Sequence, residues 1–168
     1  MKPPNDLRLL VLDVDGVLTD GTVLLGATEE IKAFHVRDGA GMALWRDSGG
    51  ALTFLTGRGG KAVQQRAKEL RIDRIWEGAF DKSSSLLEIL KHYSVAAGQV
   101  AAMGDDIQDL AWLSQVGFSA APGDAAREVK EQVHFVTKAN GGRGAVREFV
   151  EHLLKNSGRW DSLVESLS

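Results

Sequence analysis

Residues 7–16 read Leu7-Arg8-Leu9-Leu10-Val11-Leu12-Asp13-Val14-Asp15-Gly16. The apolar run has strand length and no polar alternation, which is how a strand covered on both faces of a parallel sheet reads. Two aspartates and a glycine end it. Ligands of open parallel sheets bind outside the carboxyl ends of the strands, so Asp13 and Asp15 stand where chemistry is expected.

The same pattern repeats along the chain. Thr22–Gly26 and Ile31–Phe34 predict two short strands around a turn, a hairpin insert at residues 20–35. A short helix is expected from Gly39, ended by Gly49-Gly50. Further buried strands are predicted at 51–55, 74–76, 100–103, 117–120 and 133–136, and helices at 61–70, 83–93, 107–116, 124–131 and 145–154. Strands alternating with helices imply an α/β fold, a Rossmann-like three-layer sandwich around a central parallel sheet. Residues 1–155 read as one domain. The tail 156–168, with Trp160, Leu163 and Leu167, reads equally as a docking arm or a frayed end.

Composition narrows the function. A chain of 168 residues buries enough surface to need no disulfide or structural metal. It has no cysteine, which excludes a zinc ribbon, an iron–sulfur cluster and thiol catalysis. A net charge of −3 argues against nucleic acid as partner. With no apolar leader at the N-terminus and no run of membrane-spanning length, no membrane partner and a cytoplasmic location are expected. His35, His92, His134 and His152 form no metal-ligand spacing, and Gly141-Gly142-Arg143-Gly144 lacks the third glycine of a dinucleotide fingerprint.

The remaining strand ends carry Thr56-Gly57-Arg58, then Asp81-Lys82-Ser83 at a helix start, then Gly104-Asp105-Asp106 with Asp109 one turn on. Singly, each reads blandly: Asp81 as a helix cap, Asp109 on a solvated helix face, Lys82 as a surface charge. Jointly they do not. Asp13 follows four apolar residues, and an uncompensated carboxylate buried there costs several kcal/mol. A hard divalent cation offsets that cost, and magnesium takes one or two carboxylates plus substrate phosphate.

On Asp13-Val14-Asp15-Gly16-Val17-Leu18-Thr19-Asp20, Thr56-Gly57-Arg58, Lys82 and Gly104-Asp105-Asp106-x-x-Asp109, the chain resembles the haloacid dehalogenase-like phosphatase superfamily over residues 7–136. The resemblance implies that Asp13 is the nucleophile, forming an aspartyl phosphate, and that Asp15 is general acid and then general base. It implies that Thr56 and Lys82 hold phosphoryl oxygens. Asp13, the backbone carbonyl of Asp15, and Asp105 would ligate Mg2+, with Asp106 or Asp109 supporting. Phosphoryl transfer needs positioning and charge neutralisation more than covalent chemistry, which suits this residue set.

His35-Val36-Arg37-Asp38-Gly39, Arg58, Arg66 in the next helix, and Gly141-Gly142-Arg143-Gly144-Ala145-Val146-Arg147-Glu148 resemble, more narrowly, the 3-deoxy-D-manno-octulosonate 8-phosphate phosphatase family. That resemblance implies a phosphorylated eight-carbon sugar acid on the route to lipopolysaccharide, no cap domain, and a homotetramer in which Arg143 serves a neighbouring site. Gly57, Arg58 and Arg66 would meet the substrate, the two arginines pairing its carboxylate. Relatives acting on a nine-carbon sialic-type sugar acid 9-phosphate tend to carry Glu after Thr-Gly, so Arg58 favours the eight-carbon ester. Gly59-Gly60 departs from the usual polar residues there. His35 reads equally as a satisfied structural histidine or a substrate contact.

Two rivals come from other classes. A signalling receiver domain also joins a phosphorylated aspartate to acidic magnesium ligands, but no aspartate ends the third predicted strand here. A catalytically idle oligomerisation module would have no need of Asp13, Asp15, Lys82 and Asp105 together.

Overall fold

The computed structural model describes residues 2–27 and 29–166. Six strands form one parallel sheet: β1 (Leu9–Leu12), β4 (Ala51–Thr56), β5 (Trp76–Glu77), β6 (Val100–Met103), β7 (Phe118–Ala121) and β8 (Phe135–Val136). Their order is β5-β4-β1-β6-β7-β8. A separate antiparallel pair, β2 (Leu24–Leu25) and β3 (Glu30–Ile31), makes the hairpin. Among the described residues no cap domain lies between β1 and α1 (Val36–Asp47).

The central strand explains the layers. β1 pairs with β4 (Leu9 to Ala51, Leu12 to Phe54) and with β6 (Leu9 to Val100, Leu12 to Met103). Successive side chains on a strand point to opposite faces. Leu10 and Leu12 accordingly join one core with Trp45 of α1 and Phe149 of α6 (Ala145–Asn156). Leu9 and Val11 join the other with Leu86 of α3 (Lys82–Tyr93) and Trp112 of α4 (Leu110–Leu113). All four β1 residues are fully buried. The chain runs outward from β1 through β4 to β5, then returns to β6 on the other side. That reversal opens a crevice at the carboxyl end of β1, the topological switch point.

Several boundaries differ from the sequence reading. The hairpin strands have two residues each, so Ala33 and Phe34 lie outside the ladder. α1 starts at Val36, three residues earlier than expected, and its N-cap residue His35 makes no side-chain capping hydrogen bond. β5 is shifted to Trp76–Glu77, the Thr53 hydroxyl taking the Arg74 carbonyl at 2.8 Å. The helix expected at 107–116 splits into a 3-10 turn at Ile107–Asp109 and α4. α2 (Lys61–Glu69) is close to expectation, and α5 (Arg127–Gln132) starts three residues later than expected.

The tail docks. α7 (Trp160–Ser166) lays Trp160 and Leu163 against the core, with the Lys155 ammonium 4.7 Å and the Arg147 guanidinium 5.7 Å from the Trp160 ring. Leu167 lies outside the described residues. No helix among the described residues is long and apolar enough to cross a membrane.

Candidate active site

Asp13 is the residue after β1, and its backbone N–H donates to the Met103 carbonyl at 3.0 Å, so the ladder to β6 fixes its position. Its Oδ1 accepts the Val14 N–H at 2.7 Å and its Oδ2 accepts Lys82 Nζ at 2.7 Å. Lys82 opens α3, where Asp81 caps the helix by accepting the Ser83 and Ser84 N–H groups. That cap points the Lys82 side chain inward, away from the surface reading. Its Nζ also donates to Asp109 Oδ1 at 2.6 Å.

Asp109 is fully buried and not on a solvated face. It accepts Trp112 Nε1–H at 2.9 Å and the Asp105 N–H at 3.1 Å besides Lys82. Asp105 faces Gly16, whose φ of +79° is left-handed and whose position leaves no room for a Cβ beside the Asp105 carboxylate. This is the close approach that requires the glycine after Asp15.

Carboxylate oxygens of Asp13, Asp105 and Asp109 lie within 4.8 Å of one another. One ammonium among three carboxylates leaves surplus negative charge. Burial, reinforced by Asp109 and only partly offset by Lys82, raises Asp13 to a pKa of about 7. Burial followed by the charges of Asp13 and Asp109 raises Asp105 likewise to about 7. Burial opposes the charge on Lys82, but Asp13 and Asp109 outweigh it and its pKa is raised. Hard oxygen donors that resist ionisation without a partner fit a hard divalent cation.

Asp106 also lines the pocket above this cluster. It is exposed, with Oδ1 accepting the Ile107 N–H at 2.7 Å and Oδ2 the Gln108 amide at 3.3 Å, so it starts the 3-10 turn and stands outside the carboxylate cluster. Asp109, expected in support, is the residue that the turn carries inward.

A pocket of about 360 Å³ opens over these groups, walled by Asp13, Asp15, Thr56, Gly57, Arg58 and Lys82, with Phe80 almost fully exposed on its rim. Thr56 ends β4, and its Oγ1 accepts the Arg58 N–H at 3.1 Å, which folds the Thr56-Gly57-Arg58 step tightly. Asp15 turns its Oδ1 to Lys32 Nζ at 2.5 Å, while its Oδ2 is buried and without a hydrogen-bond partner among the described residues. Arg58 pairs with Glu30 at 2.7 Å and comes within 3.9 Å of Asp15. The sequence reading missed Lys32, Glu30 and Phe80. The hairpin strands were read for their apolar residues, and only the fold brings that hairpin over Asp15.

Other expected substrate residues lie elsewhere. Val36 and Arg37 are exposed on the first turn of α1. Asp38 is buried and accepts the Gly144 N–H at 3.2 Å and the Arg147 N–H at 2.8 Å, so both its oxygens are taken up by the start of α6 rather than offered to a substrate. His35 Nδ1 is buried 3.9 Å from Asp38 Oδ2. Arg66 packs its guanidinium over the Phe34 ring and against Gly39, and pairs with Glu69 at 3.1 Å. Arg143 pairs with Asp20 at 3.1 Å in the open. None of these lines the pocket.

A family model of haloacid dehalogenase-like hydrolases matches residues 71–150, the stretch that carries Lys82, Asp105 and Asp109. The 3-deoxy-D-manno-octulosonate 8-phosphate phosphatase of Escherichia coli strain K12 is 40% identical over 158 residues, covering 94% of this chain and 84% of that protein. A crystal structure of the Moraxella catarrhalis 3-deoxy-D-manno-octulosonate 8-phosphate phosphatase with magnesium ion, phosphate ion and KDO superposes with a TM-score of 0.93, at 33% identity over 98% of this chain and 95% of that one. The cobalt-bound deoxy-D-mannose-octulosonate 8-phosphate phosphatase of Haemophilus influenzae gives a TM-score of 0.92, at 34% identity and 98% of each chain. The chain belongs to this phosphatase family, and it is a phosphoric monoester hydrolase.

Proposed function

We propose that this phosphatase hydrolyses 3-deoxy-D-manno-octulosonate 8-phosphate through an aspartyl phosphate on Asp13. The observation that carries the reading is Asp13 at the switch point, held by Lys82 and faced by Asp105, under a pocket whose wall bears Arg58. A carboxylate attacks a dianionic ester only where positive charge suppresses the repulsion. Lys82 supplies one such charge directly beside Asp13. Asp13, the Asp15 carbonyl and Asp105 are the groups that would hold Mg2+, which when bound neutralises charge between carboxylates and phosphate.

In the first step an Asp13 oxygen bonds to phosphorus, the ester P–O bond breaks, and the leaving alkoxide takes a proton from Asp15. In the second, Asp15 accepts a proton from water as that water attacks phosphorus, which frees Asp13 and releases phosphate. Thr56 and Lys82 hold phosphoryl oxygens through both steps. Gly57 and Arg58 receive the sugar acid, the guanidinium pairing its carboxylate in place of Glu30.

The reading extends to assembly. Val23, Leu24, Leu25 and Ile31 are exposed on the hairpin, and a two-stranded hairpin is marginal alone. Packing hairpins in a cytoplasmic homotetramer covers them, and Arg143 then serves a neighbour's pocket. Residues 1–155 act as the one catalytic domain. The test is a panel of phosphate esters with and without Mg2+: the eight-carbon sugar acid ester should lead in kcat/KM. A nine-carbon ester leading, or no turnover at all, overturns the reading.

A further inference from the structure

We infer that Lys32, from the hairpin, is the positioning residue that sets Asp15 for its proton transfers. The inference rests on the proposed acid–base role of Asp15.

The geometry is asymmetric in a useful way. Lys32 Nζ holds Asp15 Oδ1 at 2.5 Å, leaving Oδ2 buried in the pocket wall without a hydrogen bond among the described residues, the Arg58 guanidinium 3.9 Å away. An acid–base group needs one oxygen within hydrogen-bond reach of the leaving oxygen, at a set orientation. Asp15 sits on the turn into Gly16, and among the described residues the one hydrogen bond that chooses its carboxylate orientation is the one its Oδ1 accepts. Lys32 makes that choice from outside the turn. Its side chain is only 3% exposed, so its charge needs partners, and it has two: Asp15 and, at 2.6 Å, Glu30.

Glu30 pairs in turn with Arg58. One short hairpin therefore secures both the acid–base carboxylate and the guanidinium at the pocket wall. The hairpin supplies the constraint on Asp15 Oδ1.

The experiment compares Lys32→Met and Lys32→Arg with the unaltered phosphatase under magnesium, by rapid-quench and steady-state kinetics. Nitrophenolate leaves without protonation, so p-nitrophenyl phosphate needs Asp15 only for hydrolysis of the aspartyl phosphate. The sugar acid ester needs it for both steps. With Lys32→Met, the first turnover of p-nitrophenyl phosphate should stay within about twofold while its steady-state rate falls about tenfold or more. Phosphoenzyme formation from 3-deoxy-D-manno-octulosonate 8-phosphate should fall about tenfold or more, chiefly in kcat. Lys32→Arg, which keeps the cation, should recover most of both.

A merely structural role lowers burst amplitude and steady rate together in Lys32→Met, and that result overturns the inference. So do unchanged rates for both esters. Burst amplitude counts correctly folded sites, so partial misfolding does not imitate the expected pattern. If the unaltered protein turns over neither ester, the proposed function falls and the inference with it. If it turns over both and Lys32→Met matches it, the inference alone falls.

Discussion

Asp109 Oδ1 lies 2.6 Å from Lys82 Nζ, and the pair is buried together beneath the pocket. Asp109 is thereby a structural anchor as much as part of the acidic cluster, because it fixes the lysine that in turn meets Asp13. Asp109→Ala removes the acceptor for Lys82, for Trp112 Nε1–H and for the Asp105 N–H. Breaking a buried pair costs about 3–5 kcal/mol, and Asp13 remains to Lys82, so a loss of about 3 kcal/mol in urea denaturation is expected. A loss below about 0.5 kcal/mol would show the pair to be energetically idle.

Asp13→Asn keeps the volume and the Val14 N–H contact of the side chain while removing the attacking oxygen. Turnover should fall more than about a thousandfold with the circular dichroism spectrum unchanged. Residual activity above about 1% of the unaltered protein would assign the nucleophile elsewhere.

Arg58 should act on the sugar acid rather than the phosphate. Arg58→Ala is expected to raise KM for the sugar acid ester about tenfold or more while leaving p-nitrophenyl phosphate, which has no carboxylate, within about twofold. Equal losses on both esters would remove Arg58 from substrate selection.

Burial raises the carboxyls of Asp13 and Asp105 to about 7 even with the Lys82 ammonium beside Asp13. Both are acids with a folded pKa above the unfolded value near 4. The folded state then holds more protons, so their contribution to stability is present below the unfolded pKa and is lost as pH rises through about 7. Magnesium reverses the penalty by favouring the ionised forms, and protons compete with it below that pH. The Mg2+-induced rise in Tm should therefore be larger at pH 8 than at pH 5.5, as thermal scans at saturating magnesium can measure. An equal or smaller rise at pH 8 contradicts metal binding to these two groups.

The sequence made β1, β4 and β6 legible because strands buried on both faces leave unbroken apolar runs, and the aspartates, Thr56 and Lys82 were placed by the strand ends alone. What it hid was non-local. Asp109 was readable as a solvated helix residue until the 3-10 turn at Ile107–Asp109 rotated it inward and left Asp106 outside. Lys32 carries no local signal, since a lysine in a short hairpin is ordinary and only tertiary packing sets it over Asp15. Asp38 sat within a segment expected at the substrate, yet its partners are backbone groups more than a hundred positions later.

That last pairing has an engineering consequence. Asp38 pins the start of α1 to the start of α6, so residues 35–39 and the Gly141–Gly144 turn are halves of one mechanical unit. Loop grafts that exchange one half alone would break the pin and misalign the other. Anyone retargeting this scaffold to a different sugar must transplant both halves as a single cassette, Asp38 included.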